Sequence, residues 1–195
     1  MDEQPDPGPT RRTPSAWLRD AQRVDAALYA AIARTPTPAL DRAMARLSHA
    51  ADYSRLSLAS ATFLALARGR AGRRAAAHGL AAVGVTASLV NVAAKPLGRR
   101  GRPDRTGERV PLARHVRMPR STSFPSGHTA AGFAFATGVG HVLPSAAVPL
   151  RALAALVGYS RVHTGVHYPG DVVAGALIGT ALAQATTRAL DRVTV

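Results

Sequence analysis

Between Tyr159 and Asp171 the chain reads Y-S-R-V-H-T-G-V-H-Y-P-G-D, setting one arginine, two histidines and one aspartate between two apolar runs. A histidine beside a carboxylate has its tautomer fixed and its basicity raised, which suits it to act as a nucleophile, and an arginine offers a planar cationic fork to phosphate oxygens. Pro169 predicts the start of a helix, because proline is at home in a first helical turn. Asp171 then lies inside that turn and His167 just outside it, close enough for the two side chains to meet. Taken alone, the same spacing is more simply satisfied by Asp171 complementing the helix dipole while His167 caps a loop.

Two further stretches bear on that choice. Phe124-Pro-Ser-Gly-His128 opens another apolar segment, and a helix entrance with proline and glycine leaves free N–H groups that can hold an anion. Lys95 ends the preceding apolar segment, followed by Pro-Leu-Gly-Arg-Arg-Gly-Arg102-Pro103, and it is the only lysine among 25 basic residues. A chain that otherwise spells positive charge as arginine keeps one ammonium at a helix end.

Together, K-x6-R-P (Lys95, Arg102, Pro103), P-S-G-H (Pro125 to His128) and S-R-x5-H-x3-D (Ser160, Arg161, His167, Asp171) resemble the three-part signature of the type-2 phosphatidic acid phosphatase superfamily. That superfamily includes membrane lipid phosphate phosphatases, soluble bacterial acid phosphatases and vanadium haloperoxidases. The resemblance covers Lys95 to Asp171, with helical context from about Ser54 to Leu190, and the first fifty residues carry none of it. It implies that His167 attacks phosphorus to give a phosphohistidine, that Asp171 holds its other ring nitrogen, and that His128 serves as general acid and then general base. Lys95, Arg102, Arg161, Ser126 and the Gly127 amide would bind the phosphate, since phosphoryl transfer needs fixed cations and N–H donors more than covalent machinery. No cofactor and no metal is expected: Asp171, with Asp104 and Glu108 as further candidates, supplies too few acids for a magnesium or zinc cage. His163, eight residues from Asp171, is expected to stand outside the reaction. His49, His78, His115 and His141 have no matching partners in the sequence pattern and are expected to be structural or exposed, while Arg99, Arg100, Arg105, Arg114, Arg117 and Arg120 are candidates for attracting anionic headgroups.

The elements that must position these residues are helical. Residues 1–14 are acidic and proline-rich, lack an apolar core and predict a disordered tail rather than a secretory leader. Trp17, Leu18, Ala21, Val24, Leu28, Tyr29 and Ile32 recur at helical spacing, so 15–50 reads as an amphipathic N-terminal segment broken at Thr35-Pro-Thr-Pro38, lying on a membrane surface or on the bundle. Residues 51–192 read as the phosphatase bundle. Its apolar segments are Leu56 to Ala67, Ala75 to Ala94, Ser126 to Leu143, Ser145 to Ser160 and Asp171 to Leu190, with Arg68, Arg70, Arg73 and Arg74 expected to form the turn between the first two. Twenty helical residues cover about 30 Å, a bilayer core. The expected fold is therefore all-α, an integral membrane bundle of about five apolar helices with an amphipathic N-terminal helix, although a soluble bundle also buries apolar helices. Up-down order puts Lys95, His128, Arg161 and Asp171 at one end, beneath a site-covering loop, 96–124, too long and aperiodic to be idle.

Composition trims the alternatives. With 195 residues the chain is one domain by length, and with no cysteine it has no disulfide, thiolate nucleophile or zinc–sulfur site. Its formal charge of +14 invites nucleic acid, but nine basic residues fall between Lys95 and Arg120 with few aromatics to stack bases, so no nucleic-acid partner is expected. The expected function is metal-independent hydrolysis of a membrane lipid phosphate or diphosphate, such as a polyprenyl phosphate or phosphatidic acid, in a multi-pass cell-membrane protein whose site faces out of the cytoplasm. A soluble acid phosphatase, a vanadate-dependent haloperoxidase and a catalytically idle anionic-lipid binder are the rivals.

Overall fold

The structure, a computed structural model, describes residues 14–193, and the expected tail up to residue 13 lies outside the described residues. Helix α1 (Pro14–Arg34) ends at the Thr-Pro-Thr-Pro break, and α2 (Pro38–Ala50) begins with proline at its first position. A short 3-10 turn at 52–54 leads into α3 (Arg55–Ala67) and then α4 (Gly69–Leu89), which runs on through one π turn at Val90–Ala94 into α5 (Lys95–Leu97). After the long loop come α6 (Gly127–Val142), α7 (Ala147–His163) and α8 (Pro169–Val193). The described residues are all helix, turn and loop. The α3–α4 connection is tighter than the sequence pattern suggests: Gly69 takes a positive φ of 55° and the chain turns at Arg68-Gly69, so Arg70, Arg73 and Arg74 sit inside α4 rather than in a turn.

Much of the helix–helix contact is made by small residues, although Leu64, Phe135 and Val139 are also buried. Ala75, Ala82, Ala130, Ala134, Ala136 and Ala183 are completely buried, while Leu58, Phe63, Leu66, Val85, Val92, Val148, Val173 and Leu177 face outward. A water-soluble bundle places its large side chains inside. Alanine and glycine inside with leucine, valine and phenylalanine outside is the packing of helices that approach closely in an apolar solvent. The approach is close along the crossing of α8 and α6, where a Cβ on Gly179 would collide with the Ala130 carbonyl and one on Gly175 would fall 2.5 Å from the Ser126 carbonyl oxygen at the entrance of α6. That contact carries the front of α8, with Asp171, onto the P-S-G-H stretch. Among the described residues, Gly69–Leu97, 29 residues long, is the one helix long and apolar enough by length and hydropathy to cross a membrane.

The N-terminal pair α1–α2 packs on α7 and α8 at the end of the bundle that carries the motifs. Its latch is Arg114 from the long loop. Arg114 is fully buried, donating through Nε to Asp41 at 2.8 Å and through its terminal nitrogens to the carbonyls of Ile32, Ala33 and Thr35. It therefore stitches the end of α1, the break and α2 to the loop, and is not one of the exposed, headgroup-attracting arginines of the sequence pattern.

Candidate active site

Loops ordinarily run over a protein's surface. The connection between α7 and α8 does not: every residue from Ser160 to His167 is buried. Gly165 makes the turn possible with a φ of +66°, and the N–H groups of Val166 and His167 donate to the carbonyl of Arg161 at 3.0 and 3.2 Å. His167 is thereby held by backbone bonds before its side chain makes any contact.

The His167 ring has two distinct sides. Its Nδ1 lies 3.6 Å from Asp171 Oδ2 and 3.5 Å from the Ser123 hydroxyl, and its Nε2 lies 3.5 Å from Arg102 Nη1. These separations are longer than good hydrogen bonds. Asp171 Oδ2 is already engaged more closely, by the Ser123 hydroxyl at 2.5 Å and the Tyr168 N–H at 2.9 Å, while Oδ1 accepts from Arg100 at 3.0 Å. Burial drives the imidazole down from its ordinary value to about 4; Asp171 opposes the shift, and the cations of Arg102 and Arg161 add to it. His167 is therefore a neutral imidazole at physiological pH, its Nδ1 side facing a carboxylate and its Nε2 side facing a cation.

The other sequence-predicted residues converge on this point from three directions. Arg102 is held rigid by the carbonyls of Ser121, Val166 and Thr122 at 2.9, 2.6 and 3.1 Å. Ser126, fully buried, precedes α6; its N–H donates to the Asp171 carbonyl at 3.0 Å and its hydroxyl pairs with Thr129. Lys95 comes from the end of the α4 rod, and its Nζ lies 3.7 Å from where a Gly127 side chain would begin, so the residue without a side chain is the one the ammonium overlies. His128 sits in the first turn of α6 with Nε2 3.0 Å from Asp52 Oδ1. Arg161 is 2% exposed, donates to the Ser48 hydroxyl at 2.6 Å and lies 3.7 Å from Asp52, while its Nε is buried without a partner. A buried guanidinium N–H with nothing to bind is costly unless a ligand supplies the acceptor.

Several residues here escaped the sequence pattern. Asp52 is the missed acid beside His128. It precedes Tyr53 and Ser54, whose φ values of 55° and 56° put two consecutive non-glycine residues in the left-handed region, a conformation that costs roughly 1–3 kcal/mol each and clusters at functional sites. Asp25, from α1, accepts Arg100 at 2.6 Å and the Gly170 N–H at 2.7 Å, capping the front of α8. Asp104 and Glu108, the acids named from sequence, are engaged elsewhere: Asp104 accepts the N–H groups of Thr106 and Gly107, and Glu108 pairs with Arg34. Arg100 and Arg105 are also internal, Arg100 stacking 3.9 Å from the centre of the Tyr168 ring and Arg105 donating to the Gly165 and Val116 carbonyls. Arg99, Arg117 and Arg120 remain exposed. His163 is engaged elsewhere, its Nε2 3.0 Å from Asp41 Oδ1. His141 and His49, expected to lack partners, face Asp191 at 2.7 Å and Asp52 at 3.6 Å.

A buried neutral histidine backed by a carboxylate, with lysine, two arginines and a glycine-led helix entrance around it, is an arrangement suited to phosphoryl transfer, set at one end of a helical bundle. The PAP2 superfamily model matches residues 75–194, and the chain belongs to that superfamily. It is 39% identical over 97 residues to the decaprenylphosphoryl-5-phosphoribose phosphatase of Mycobacterium tuberculosis (strain CDC 1551 / Oshkosh), a match covering 48% of this chain and 49% of that one, so the match spans about half the length of this relative. Aquifex aeolicus LpxE superposes with a TM-score of 0.68 at 28% identity, covering 83% of this chain and 93% of that one. The first transmembrane PAP2 type phosphatidylglycerolphosphate phosphatase from Bacillus subtilis superposes with a TM-score of 0.66 at 27% identity, covering 89% of this chain and 87% of that one.

Proposed function

We propose that the chain is a multi-pass membrane phosphatase that removes phosphate from a lipid through a phosphohistidine on His167, without a metal at the reacting centre. The observation that carries this reading is the two-sided environment of His167: Nδ1 beside Asp171 and Ser123, Nε2 beside Arg102. The Nε2 lone pair attacks phosphorus and the bond to the lipid oxygen breaks, while His128 delivers its proton to the departing alkoxide. Neutral His128 then takes a proton from water, the resulting hydroxide attacks phosphorus, the P–N bond breaks, and inorganic phosphate leaves with His167 neutral again. Lys95, Arg102, Arg161, Ser126 and the Gly127 N–H stabilise the charge gathering on the equatorial oxygens.

A lipid substrate is supported by the cavity beside His128. It has a volume of about 210 Å³, with Lys95, Gly127 and His128 at its polar end and Ala87, Val90 and Phe135 among its apolar walls. A phosphate held at Lys95 and His128 therefore meets an apolar wall on the side where an alkyl or isoprenoid chain would leave it. The likeness to a decaprenylphosphoryl-phosphoribose phosphatase and to a phosphatidylglycerolphosphate phosphatase supports the same class. In this reading α3, α4, α6, α7 and α8 are the spans, 51–192 is the catalytic bundle, 15–50 is an amphipathic segment seated on it, and the long loop closes over the mouth.

The test is phosphate release by detergent-purified chain from polyprenyl phosphate, polyprenyl diphosphate, phosphatidate, phosphatidylglycerolphosphate and p-nitrophenyl phosphate. Preference for a lipid over the water-soluble ester supports the reading. Equal or better turnover of the soluble ester without detergent makes this a soluble acid phosphatase instead.

A further inference from the structure

At the end of the bundle opposite the phosphate site, three ligand-bearing residues meet from three helices: His78 of α4, His141 of α6 and Asp191 of α8. One ligand atom from each lies within 4.8 Å of the other two. Along α6 the distance from His128 to His141 is about 20 Å, and along α8 from Asp171 to Asp191 about 30 Å, at 1.5 Å per residue. The cluster shares no residue with the catalytic machinery.

An ordinary hydrogen bond accounts for part of it, since His141 Nε2 lies 2.7 Å from Asp191 Oδ2. It does not account for His78. That residue is only 6% exposed, its ring is stacked on His141 with centres 5.7 Å apart and planes 22° apart, and its Nδ1 is buried without a hydrogen-bond partner. A buried imidazole nitrogen left unpaired is expensive, and a second imidazole stacked beside it cannot satisfy it.

We propose that His78, His141 and Asp191 form a binding site for zinc or a closely related first-row transition-metal ion, tying the far ends of α4, α6 and α8 together. Two imidazoles and one carboxylate suit zinc, cobalt or nickel, whereas magnesium and calcium prefer an all-oxygen shell. Ligand atoms of a tetrahedral zinc lie about 3.3 Å apart, given metal–ligand bonds of about 2.0–2.1 Å. His141 and Asp191 sit near helix ends and are partly exposed, which leaves their side chains room to close that spacing. Arg74 Nη2, 3.5 Å from Asp191 Oδ1, is placed to hold the carboxylate oxygen the metal leaves free, in the manner of an outer-shell partner. With three protein ligands the fourth position falls to water, and the partial exposure of His141 gives the ion a way in from solvent.

The experiment uses the full chain purified in detergent through a tag without histidines, stripped with chelator, dialysed and titrated with zinc. Bound metal per chain and Tm are read together. One zinc per chain is expected, with a Tm that rises on zinc addition; His141→Ala and Asp191→Asn should each weaken binding roughly tenfold or more and abolish the Tm rise. Both variants change partly exposed groups, and monodisperse elution checks that they fold. Less than one zinc bound per chain at saturation, or binding and Tm rise unchanged in both variants, overturns the proposal. Initial phosphatase rates should be equal in stripped and zinc-loaded chain, so failure of the zinc site and failure of the phosphatase reading give separate results.

Discussion

At the site the deciding property is which protonation state each group holds. His167 carries a second ring proton only below about pH 4, chiefly because it is buried. In the proposed mechanism the nucleophile is therefore available across the neutral range, and protonation of His167 removes activity only as pH falls through about 4. The same burial carries a stability consequence. Between about pH 6.5, where an unfolded histidine takes up a proton, and about pH 4, where the folded one does, the unfolded state binds more protons, so stability declines as pH falls through that window. The full depression amounts to roughly 3 kcal/mol at its acid end. His167→Gln should flatten that decline in a Tm series while abolishing turnover and the acid-labile phosphoenzyme; a phosphoenzyme that survives His167→Gln but not His163→Ala would move the nucleophile to His163. Asp52 acts one bond further out. It fixes the orientation of His128, so Asp52→Asn should lower kcat for lipid substrates about tenfold, about 1.4 kcal/mol, with KM nearly unchanged. The loss should shrink with p-nitrophenyl phosphate, whose leaving group needs no proton. An equal loss with both substrates would mean that Asp52 supports the fold rather than the acid.

At the scale of elements, the phosphate site is as much a product of α1 and α2 as of the bundle. Asp25 caps the front of α8, Ser48 holds Arg161, and Asp41 joins Arg114 to His163. Burial alone would raise the Asp41 carboxyl, but hydrogen bonds from Thr37, Arg114 and His163 outweigh it and hold the group below its ordinary value. Removing one partner of such a buried pair leaves a stranded charge, so Arg114→Met should cost about 3–5 kcal/mol and expose the break at 35–38 to protease. A chain that keeps its Tm and protease resistance after this change would show that the N-terminal pair is held by other contacts. Lys95, the P-S-G-H entrance and the His167–Asp171 pair were legible because proline, glycine and charge interrupt apolar runs at those points, and helix order alone puts those ends together. Asp25, Ser48, Asp52 and Ser123 were not legible. Their partners are remote in the chain, 145 positions away for Asp25 and Gly170 and 113 for Ser48 and Arg161, and no local period encodes such a meeting.

For the molecule as a whole, the distribution of charge between the two ends bears on orientation. Nine basic residues between Lys95 and Arg120 blurred that count in the sequence, because positive residues mark the cytoplasmic side only where they are free to meet it. Folding removes several of them from the count. Arg114 is buried in the latch, Arg100 is spent on Asp25 and Asp171, and Arg102 and Arg105 donate to carbonyls around His167. At the other end, Arg68, Arg70, Arg73, Arg188 and Arg192 are all exposed, and Arg74 makes only an exposed pair with Asp191. Exposed arginines nevertheless remain at both ends, with Arg42, Arg46, Arg55, Arg99, Arg109, Arg117 and Arg120 on the side of the phosphate site, so an outward-facing site is a proposal that labelling, not charge counting, decides. The chain has no cysteine of its own, so single cysteines report this cleanly. Arg120→Cys, in the long loop, should react with a membrane-impermeant maleimide in intact cells, whereas Arg70→Cys should react only after the membrane is opened. Neither position belongs to the site, so lipid phosphatase activity should persist in both and confirm that the labelled chains are folded. The reverse labelling pattern would place the site in the cytoplasm, and labelling of both positions in intact cells would mean that the chain does not separate its two ends across a membrane.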